Sequence, residues 1–107
     1  SHDEKAKQLA GVNEFGRINK KLFGAIFLKA SEEIAGIDEL IKQNLSEKWS
    51  FERIGGVMRG ILRSAIAESK LGDAKKGMII SEYVAIADSF YDEKETKFVN
   101  AILDKVL

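Results

Sequence analysis

The side chains that most enzymes use as nucleophiles or metal ligands are nearly absent from this sequence. It contains no cysteine, and its one histidine is His2. Ser/His and Cys/His nucleophilic pairs and His-rich metal sites therefore cannot be assembled from within the chain. We interpret Ser1-His2 as the remnant of an expression tag, without a part in function. No cofactor or metal ion is expected.

Carboxylates are the remaining candidates for acid–base chemistry. Glu32 and Glu33 are neighbours that would point to different sides of a helix. Asp92, Glu93 and Glu95 fall where a helix is expected to begin, and acidic residues are common there. Charges in such positions are usually solvated. The pattern favours a protein without catalytic activity.

A glycine-rich segment, Gly55-Gly56-Val57-Met58-Arg59-Gly60, is superficially similar to a phosphate-binding loop. It lacks the preceding strand and the Gly-Lys-Ser/Thr ending on which such loops depend. Close packing of helices is the favoured role for these glycines.

RNA binding is more plausible than catalysis, because cations bind phosphates and an exposed ring can stack on an unpaired base. Arg59 and Arg63 lie four residues apart on one helix face, and Lys97 precedes Phe98 near the start of another helix. Periodicity alone favours a core position for Phe98 over a stacking role. The chain has 17 basic and 17 acidic residues, so any RNA site must be a local patch.

The elements that must position these residues are helices. From Arg17 onward, apolar residues recur at steps of three and four, which predicts one helix of about eight turns. That stripe comprises Ile18, Leu22, Ile26, Ala30, Ile34, Ile37, Ile41 and Leu45. Similar stripes begin at Ile54, Ile79 and Phe98. Four main helices are predicted, and no stretch has the alternation typical of a strand. The fold class is all-α, a compact helical bundle.

The domain organisation is simple. Residues 17–107 are predicted to form one helical domain, preceded by residues 1–16 as an arm containing a weak helix. Helix boundaries are predicted at the polar turn around Trp49, at Gly72-Asp73 and at Asp92. The sequence contains no apolar run of about 18 residues, which argues against a signal peptide or a membrane span. A cytoplasmic protein is expected.

The most specific pattern lies in the last 35 residues. It consists of Phe90, Glu93, Lys97-Phe98-Val99-Asn100 and Ile102-Leu103-Asp104-Lys105. This pattern resembles the C-terminal signature of the bacterial NusB family of transcription antitermination factors. Upstream, Gly56-Val57 and Ile61-Leu62-Arg63 resemble another helix of that family, one that carries a pattern of the Val-Glu-Arg-Ala-Ile-Leu-Arg type.

The resemblance implies an all-helical protein that binds the boxA element of antiterminator RNA. It also implies pairing with NusE, a ribosomal protein that serves in transcription, within the elongating RNA polymerase complex. Residues 92–98, with Arg63 nearby, would face the RNA. The helix from Ile54 to Ser69 would face NusE, with Met58 and Leu62 as partner-binding residues. Lys94 adds a positive charge where the family often has a neutral or acidic residue, and we expect it to contact phosphate.

The sequence also departs from the family. NusB proteins usually begin with an arginine-rich helix, and about two helices of the family pattern are missing here, through truncation, proteolysis or divergence. The apolar surface thereby uncovered would favour self-association, for example as a homodimer. Two other functions stay open, namely the NusB-like RNA-binding domain of an rRNA cytosine methyltransferase and a helical protein-interaction module. The end of the chain at Leu107, and Asp104, favour the free-standing factor.

Overall fold

The computed structural model of the chain describes residues 19–107, and these form five helices without a strand. The prediction of an all-α protein is confirmed. The arm predicted for residues 1–16 lies outside the described residues. The helices are α1 (Lys20–Glu32), α2 (Ile34–Asn44), α3 (Gly56–Leu71), α4 (Lys76–Asp88) and α5 (Glu93–Val106).

Helix α3 is the centre of the bundle, since it packs against each of the other four helices. Its predicted apolar stripe is confirmed from Met58 onward, since Ile61, Leu62, Ala65 and Ile66 are all buried, whereas Val57 is exposed. Helix α1 packs on α3 and α2, whereas α5 packs on α4, α2 and α3. Burying one Ile or Leu side chain contributes about 1.5–3 kcal/mol. Packing on the buried stripe of α3 therefore holds the other four helices in position around it.

The prediction of a single long helix from Arg17 to Leu45 is wrong over residues 19–45, where the structure has two helices. The chain breaks at Glu33, whose backbone angles of φ −116° and ψ 23° separate α1 from α2. The Glu33 carboxylate pairs with Lys29 at 2.6 Å and with Lys70, near the end of α3, at 3.3 Å. Ile34, which the continuous stripe would bury, is instead 43% exposed. Tertiary packing of the two halves against α3 has overridden the local periodicity.

The predicted helix boundaries are confirmed. Helix α3 ends at Gly72, whose φ of 79° is the left-handed conformation that glycine adopts without strain. Helix α5 begins after Asp92, whose backbone N–H donates to the Glu95 carboxylate at 3.2 Å. At the start of α1, the Asn19 side chain accepts a hydrogen bond from the Leu22 N–H at 2.9 Å.

The role predicted for the glycine-rich segment is wrong. A Cβ atom added at Gly55, Gly56 or Gly60 would meet nothing within 4 Å in the part of the chain that the structure describes. Close packing among the helices of residues 19–107 therefore does not require these glycines. Gly55 has a φ of 90° where the chain enters α3, so a conformational requirement explains that position.

Among the described helices, none combines the length and apolar character needed to cross a membrane.

Candidate nucleic-acid interface

The loop of residues 45–55, between α2 and α3, carries two aromatic side chains to the surface of the bundle. Two successive turns shape it: Trp49 N–H donates to Ser46 O at 3.0 Å, and Ile54 N–H donates to Ser50 O at 2.9 Å. Trp49 and Phe51 are both half-buried. Cations from the neighbouring helices lie over both rings, one at Trp49 and three at Phe51.

Trp49 stacks on Phe98 from the first half of α5. Their ring centroids are 4.2 Å apart, and the ring planes are inclined by 24°. The Lys94 ammonium, one turn before Phe98, lies over the indole ring at 5.4 Å from its centroid. Phe98 is half-buried, so its ring packs against the core and also reaches the surface. The start of α5 thus presents two stacked rings and a cation in one place.

Lys97 directly precedes Phe98 in the chain, and its side chain is largely solvated. Its ammonium pairs with the Glu93 carboxylate at 2.9 Å, and the two side chains are 75% and 79% exposed. Such an exposed pair within one helix contributes little to stability. Its lysine can therefore exchange the carboxylate for a phosphate at small cost. Lys94 takes part in no ion pair within the described residues.

A groove of about 390 Å³ opens between the loop and the residues that precede and begin α5. Its wall combines two aromatic rings, two cations and two carboxylates with smaller groups. The lining residues are Glu47, Lys48, Trp49, Ser50, Arg53, Ile54, Met58, Tyr91 and Glu95. This volume lies in the range of small-ligand sites, although the wall is more polar than usual for them.

Three cations surround the second loop ring, Phe51. Lys42 Nζ lies 4.9 Å from its centroid, and the guanidinium carbons of Arg59 and Arg63 lie 5.6 Å from it. Arg59 Nη1 also donates to the carbonyl oxygens of Phe51, at 2.9 Å, and Glu52, at 3.1 Å. The first role of Arg59 is therefore to hold the loop against α3.

Arg63 is similarly engaged within the chain. Its Nε and Nη2 donate to the two carboxylate oxygens of Asp38 at 2.7 and 2.8 Å. These hydrogen bonds raise the pKa of Arg63, against a smaller opposing effect of burial. The fork that would grip a phosphate is occupied by this carboxylate.

The two predicted partner-binding residues lie in the core. Met58 is 1% exposed and Leu62 is fully buried. Their burial leaves little surface for direct contact with a partner, and their role in partner binding remains a prediction. They lie on the stripe of α3 that the other helices cover. Val57, the residue before Met58, is 48% exposed.

The five predicted RNA-binding residues thus fall into two groups, one near the Trp49 ring and one around the Phe51 ring. Lys94, Lys97 and Phe98 share the start of α5, whereas Arg59 and Arg63 surround Phe51. Their role in RNA binding remains a prediction. Trp49 and Phe51 were not predicted from the sequence as residues of this surface. A signal was present, since Trp49 is the only tryptophan of the chain and lies in a polar turn outside every apolar stripe.

No group of three or more potential metal ligands from His, Cys, Asp and Glu occurs within residues 19–107.

The sequence matches known proteins over nearly its whole length. The sequence profile of the NusB family matches residues 2–107. The chain is 42% identical over 112 residues to the transcription antitermination protein NusB of Mesorhizobium japonicum, covering 92% of this chain and 72% of that protein. It is 41% identical over 85 residues to the proteins of the same name from Brucella ovis and Brucella suis.

The matches to the two Brucella proteins cover 78% of this chain, which spans about half of their length. Among solved structures, no significant match is found. The resemblance stated from the C-terminal residues therefore extends over both halves of the sequence, and the chain belongs to the NusB family.

Proposed function

We propose that this chain is a non-catalytic, RNA-binding transcription antitermination factor that binds boxA-type RNA together with NusE during transcription of ribosomal RNA operons. The observation that carries the proposal is the stack of Trp49 on Phe98 beneath the Lys94 ammonium. Aromatic rings that reach the surface and adjacent cations are the two features with which proteins bind unpaired nucleotides.

The electrostatics of the chain favour this location for RNA. With no net charge on the whole chain, phosphates are attracted only where cations cluster. Lys94 and Lys97 project from the first half of α5, where backbone N–H groups also favour an anion. Three acidic residues of the same turn, Asp92, Glu93 and Glu95, reduce this attraction. Ring stacking must therefore contribute a large share of the affinity.

Family membership supports the function class. The relatives are named for transcription antitermination and not for a catalysed reaction, and the chain is accordingly not an enzyme. Those names also favour a free-standing factor over the RNA-binding domain of a methyltransferase. The proposed role would place the protein in the bacterial cytoplasm, at the elongating RNA polymerase complex.

A protein partner needs exposed apolar surface, and most of α3 is covered by other helices. We therefore place the NusE contact at the beginning of α3, where Val57 is exposed. A homodimer is the alternative use of apolar surface, through α1, whose Phe23, Phe27 and Leu28 are 50%, 66% and 58% exposed. Sedimentation velocity over a concentration series tests the homodimer. A constant monomer would exclude it.

The proposed function is tested by fluorescence anisotropy of a labelled boxA-type RNA titrated with the chain. The titration is run with and without NusE, at low and at physiological salt, and against a scrambled RNA. We expect tighter binding to the boxA-type RNA, strengthened by NusE and weakened by salt. Equal and weak binding to both RNAs would contradict the proposal.

Two variants locate the binding surface in the same assay. Phe98→Ala removes the ring at the start of α5, and we expect the Kd to rise by about 5- to 150-fold, as for other stacking residues. Phe27→Ala is the matched control, because Phe27 is an exposed ring on α1, away from α5. An equal loss of affinity in both variants would show that the α5 surface has no special role.

A further inference from the structure

We propose that the groove between loop 45–55 and the start of α5 receives one unpaired nucleobase of a bound RNA strand, stacked on Trp49. The inference rests on the proposed function, since it assumes that the chain binds RNA. It adds a site at which the strand enters the surface of the protein. It also adds a preference for the chemistry of the base in that site.

The wall of the groove has the three kinds of group that a nucleotide requires. Trp49 and Tyr91 supply aromatic surface for the plane of the base. Arg53, in the wall of the groove, supplies a cation for the adjacent phosphate, and Lys94 lies over the Trp49 ring. Glu47 supplies a carboxylate for the polar edge of the base. A purely apolar partner would leave these charged groups without compensation.

Trp49 is held in place before any ligand arrives. Its backbone N–H is bonded to Ser46 O, and its ring is stacked on Phe98. Phe98 in turn belongs to α5, which is packed on three other helices. A ring that is already fixed loses little conformational entropy when a base stacks on it. The indole is therefore a preorganised platform.

The carboxylates of the groove predict which bases it prefers. An ionised carboxylate can only accept hydrogen bonds, so it favours a base edge that carries an amino group. Glu95 is oriented by the hydrogen bond from the Asp92 N–H at 3.2 Å, and Glu47 lies on the loop side. Cytosine and adenine present an exocyclic amino group, whereas uracil presents carbonyl oxygens there. The groove should accept cytosine or adenine more readily than uracil.

The experiment uses Trp49 as its own reporter, because it is the only tryptophan of the chain. Single-stranded oligocytidine and oligouridine 12-mers with a 3′ label are titrated into the whole chain. Label anisotropy reports binding at any site, and tryptophan emission reports contact at the groove. We expect oligocytidine to bind more tightly and to quench the emission in parallel with the rise in anisotropy.

Substitutions distinguish the groove from other RNA contacts. We expect Trp49→Ala to raise the Kd for oligocytidine about 5- to 150-fold, and Trp49→Phe to retain most of the affinity because it keeps a ring. Glu47→Gln should bring the Kd values for oligocytidine and oligouridine closer together, since an amide can also donate a hydrogen bond to uracil. Glu32→Gln is the matched control, an exposed glutamate on α1, and should change nothing.

The two failures have different signatures. If anisotropy rises without quenching, and Trp49→Ala and Glu47→Gln bind both RNAs like the unmodified chain, RNA binds elsewhere. The groove proposal is then overturned and the proposed function survives. If no RNA, including a boxA-type RNA with NusE, changes the anisotropy, both are overturned. Quenching by a protein partner but by no RNA would also overturn the groove proposal, by showing that a protein side chain occupies the groove.

Discussion

The Arg63 guanidinium grips the Asp38 carboxylate with two nearly parallel hydrogen bonds of 2.7 and 2.8 Å. The pair joins α3 to α2, and both side chains are mostly buried, with 27% and 19% of their surface exposed. A charge-assisted, bidentate pair in such a position is stronger than an ordinary surface ion pair. Arg63 is therefore first a residue that holds the bundle together.

We predict that Arg63→Ala and Asp38→Ala are coupled in their effect on stability. A double-mutant cycle, measured by urea unfolding, should give an interaction free energy of about 1–2 kcal/mol. Arg63→Lys should recover only part of it, because an ammonium cannot form the fork. Additive effects of the two alanine substitutions would show that the pair contributes nothing.

The same variants separate the structural role of Arg63 from RNA binding. Asp38→Ala removes a negative charge and frees the guanidinium. If Arg63 were an RNA contact, the Asp38 variant should bind RNA more tightly than the unmodified chain. Because the geometry assigns Arg63 to the bundle, we expect the RNA affinity of this variant to remain close to that of the unmodified chain.

Lys94→Glu should weaken RNA binding and its dependence on salt. Loss of one phosphate contact on a single strand lowers the slope of log K against log salt concentration by about 0.7. The substitution also removes the cation over the Trp49 ring. Anisotropy titrations at four salt concentrations measure the slope.

Lys105→Glu is the control for Lys94→Glu. It makes the same change of charge in the last turn of α5, at the far end from Lys94. We expect this variant to keep the slope of the unmodified chain. Equal slopes for the two variants would assign the salt dependence to overall charge rather than to the start of α5.

Glu33 should make stability depend on pH in the acidic range. Hydrogen bonds from Lys29 and then Lys70 hold the pKa of the Glu33 carboxyl below its ordinary value of 4.5. A lowered folded-state pKa gives stability that is fully present above about pH 4.5 and is lost as the pH falls through the lower, folded-state value. The effect is small, because the groups are solvated and screened by salt.

Thermal unfolding of Glu33→Gln against the unmodified chain, from pH 3 to pH 7, measures this contribution. We expect a lower Tm for the variant at pH 7 and a difference that disappears towards pH 3. Glu32→Gln, the neighbouring exposed glutamate, should show no such convergence. A Tm difference that is independent of pH would assign the effect of Glu33 to something other than its charge.

The sequence was a good guide where one physical rule governs the chain. The apolar stripe of α3 follows from periodicity. The end of α3 at Gly72 and the start of α5 at Asp92 follow from capping. Both are local properties of the sequence. The break at Glu33 could not be predicted, because the stripe continues through it and only the docking of two helices on α3 decides it. The burial of Met58 follows from the same central position of α3.

The candidate site was predicted only in part, for a related reason. Phe98 belongs to an apolar stripe, and periodicity cannot show that its ring meets Trp49 from a loop 49 positions earlier. Arg59 and Arg63 carry the charge that a phosphate contact needs, but their carbonyl and carboxylate acceptors come from distant residues. Composition and spacing indicate which side chains could form a site. The fold decides which of these side chains are free to bind a ligand and which are engaged within the protein.

Gly55 should be the least replaceable glycine at the entry to α3. Its φ of 90° and ψ of 161° lie in a region that essentially only glycine occupies, so Gly55→Ala should cost about 1–3 kcal/mol of the free energy of unfolding. The added methyl group meets no neighbour within 4 Å in the described residues, which leaves backbone strain as the cause. Urea unfolding followed by circular dichroism gives the free energy.

Gly60→Ala is the matched substitution, five residues further along in the interior of α3. A methyl group added at Gly60 also meets no neighbour within 4 Å in the part of the chain that the structure describes. Alanine has the higher helix propensity, so this variant should gain about 0.5–1 kcal/mol in the free energy of unfolding. The opposite signs of the two changes test the backbone argument directly. Destabilisation by Gly60→Ala as large as by Gly55→Ala would show that helix α3 is closely approached at both positions, and that packing rather than φ retains glycine there.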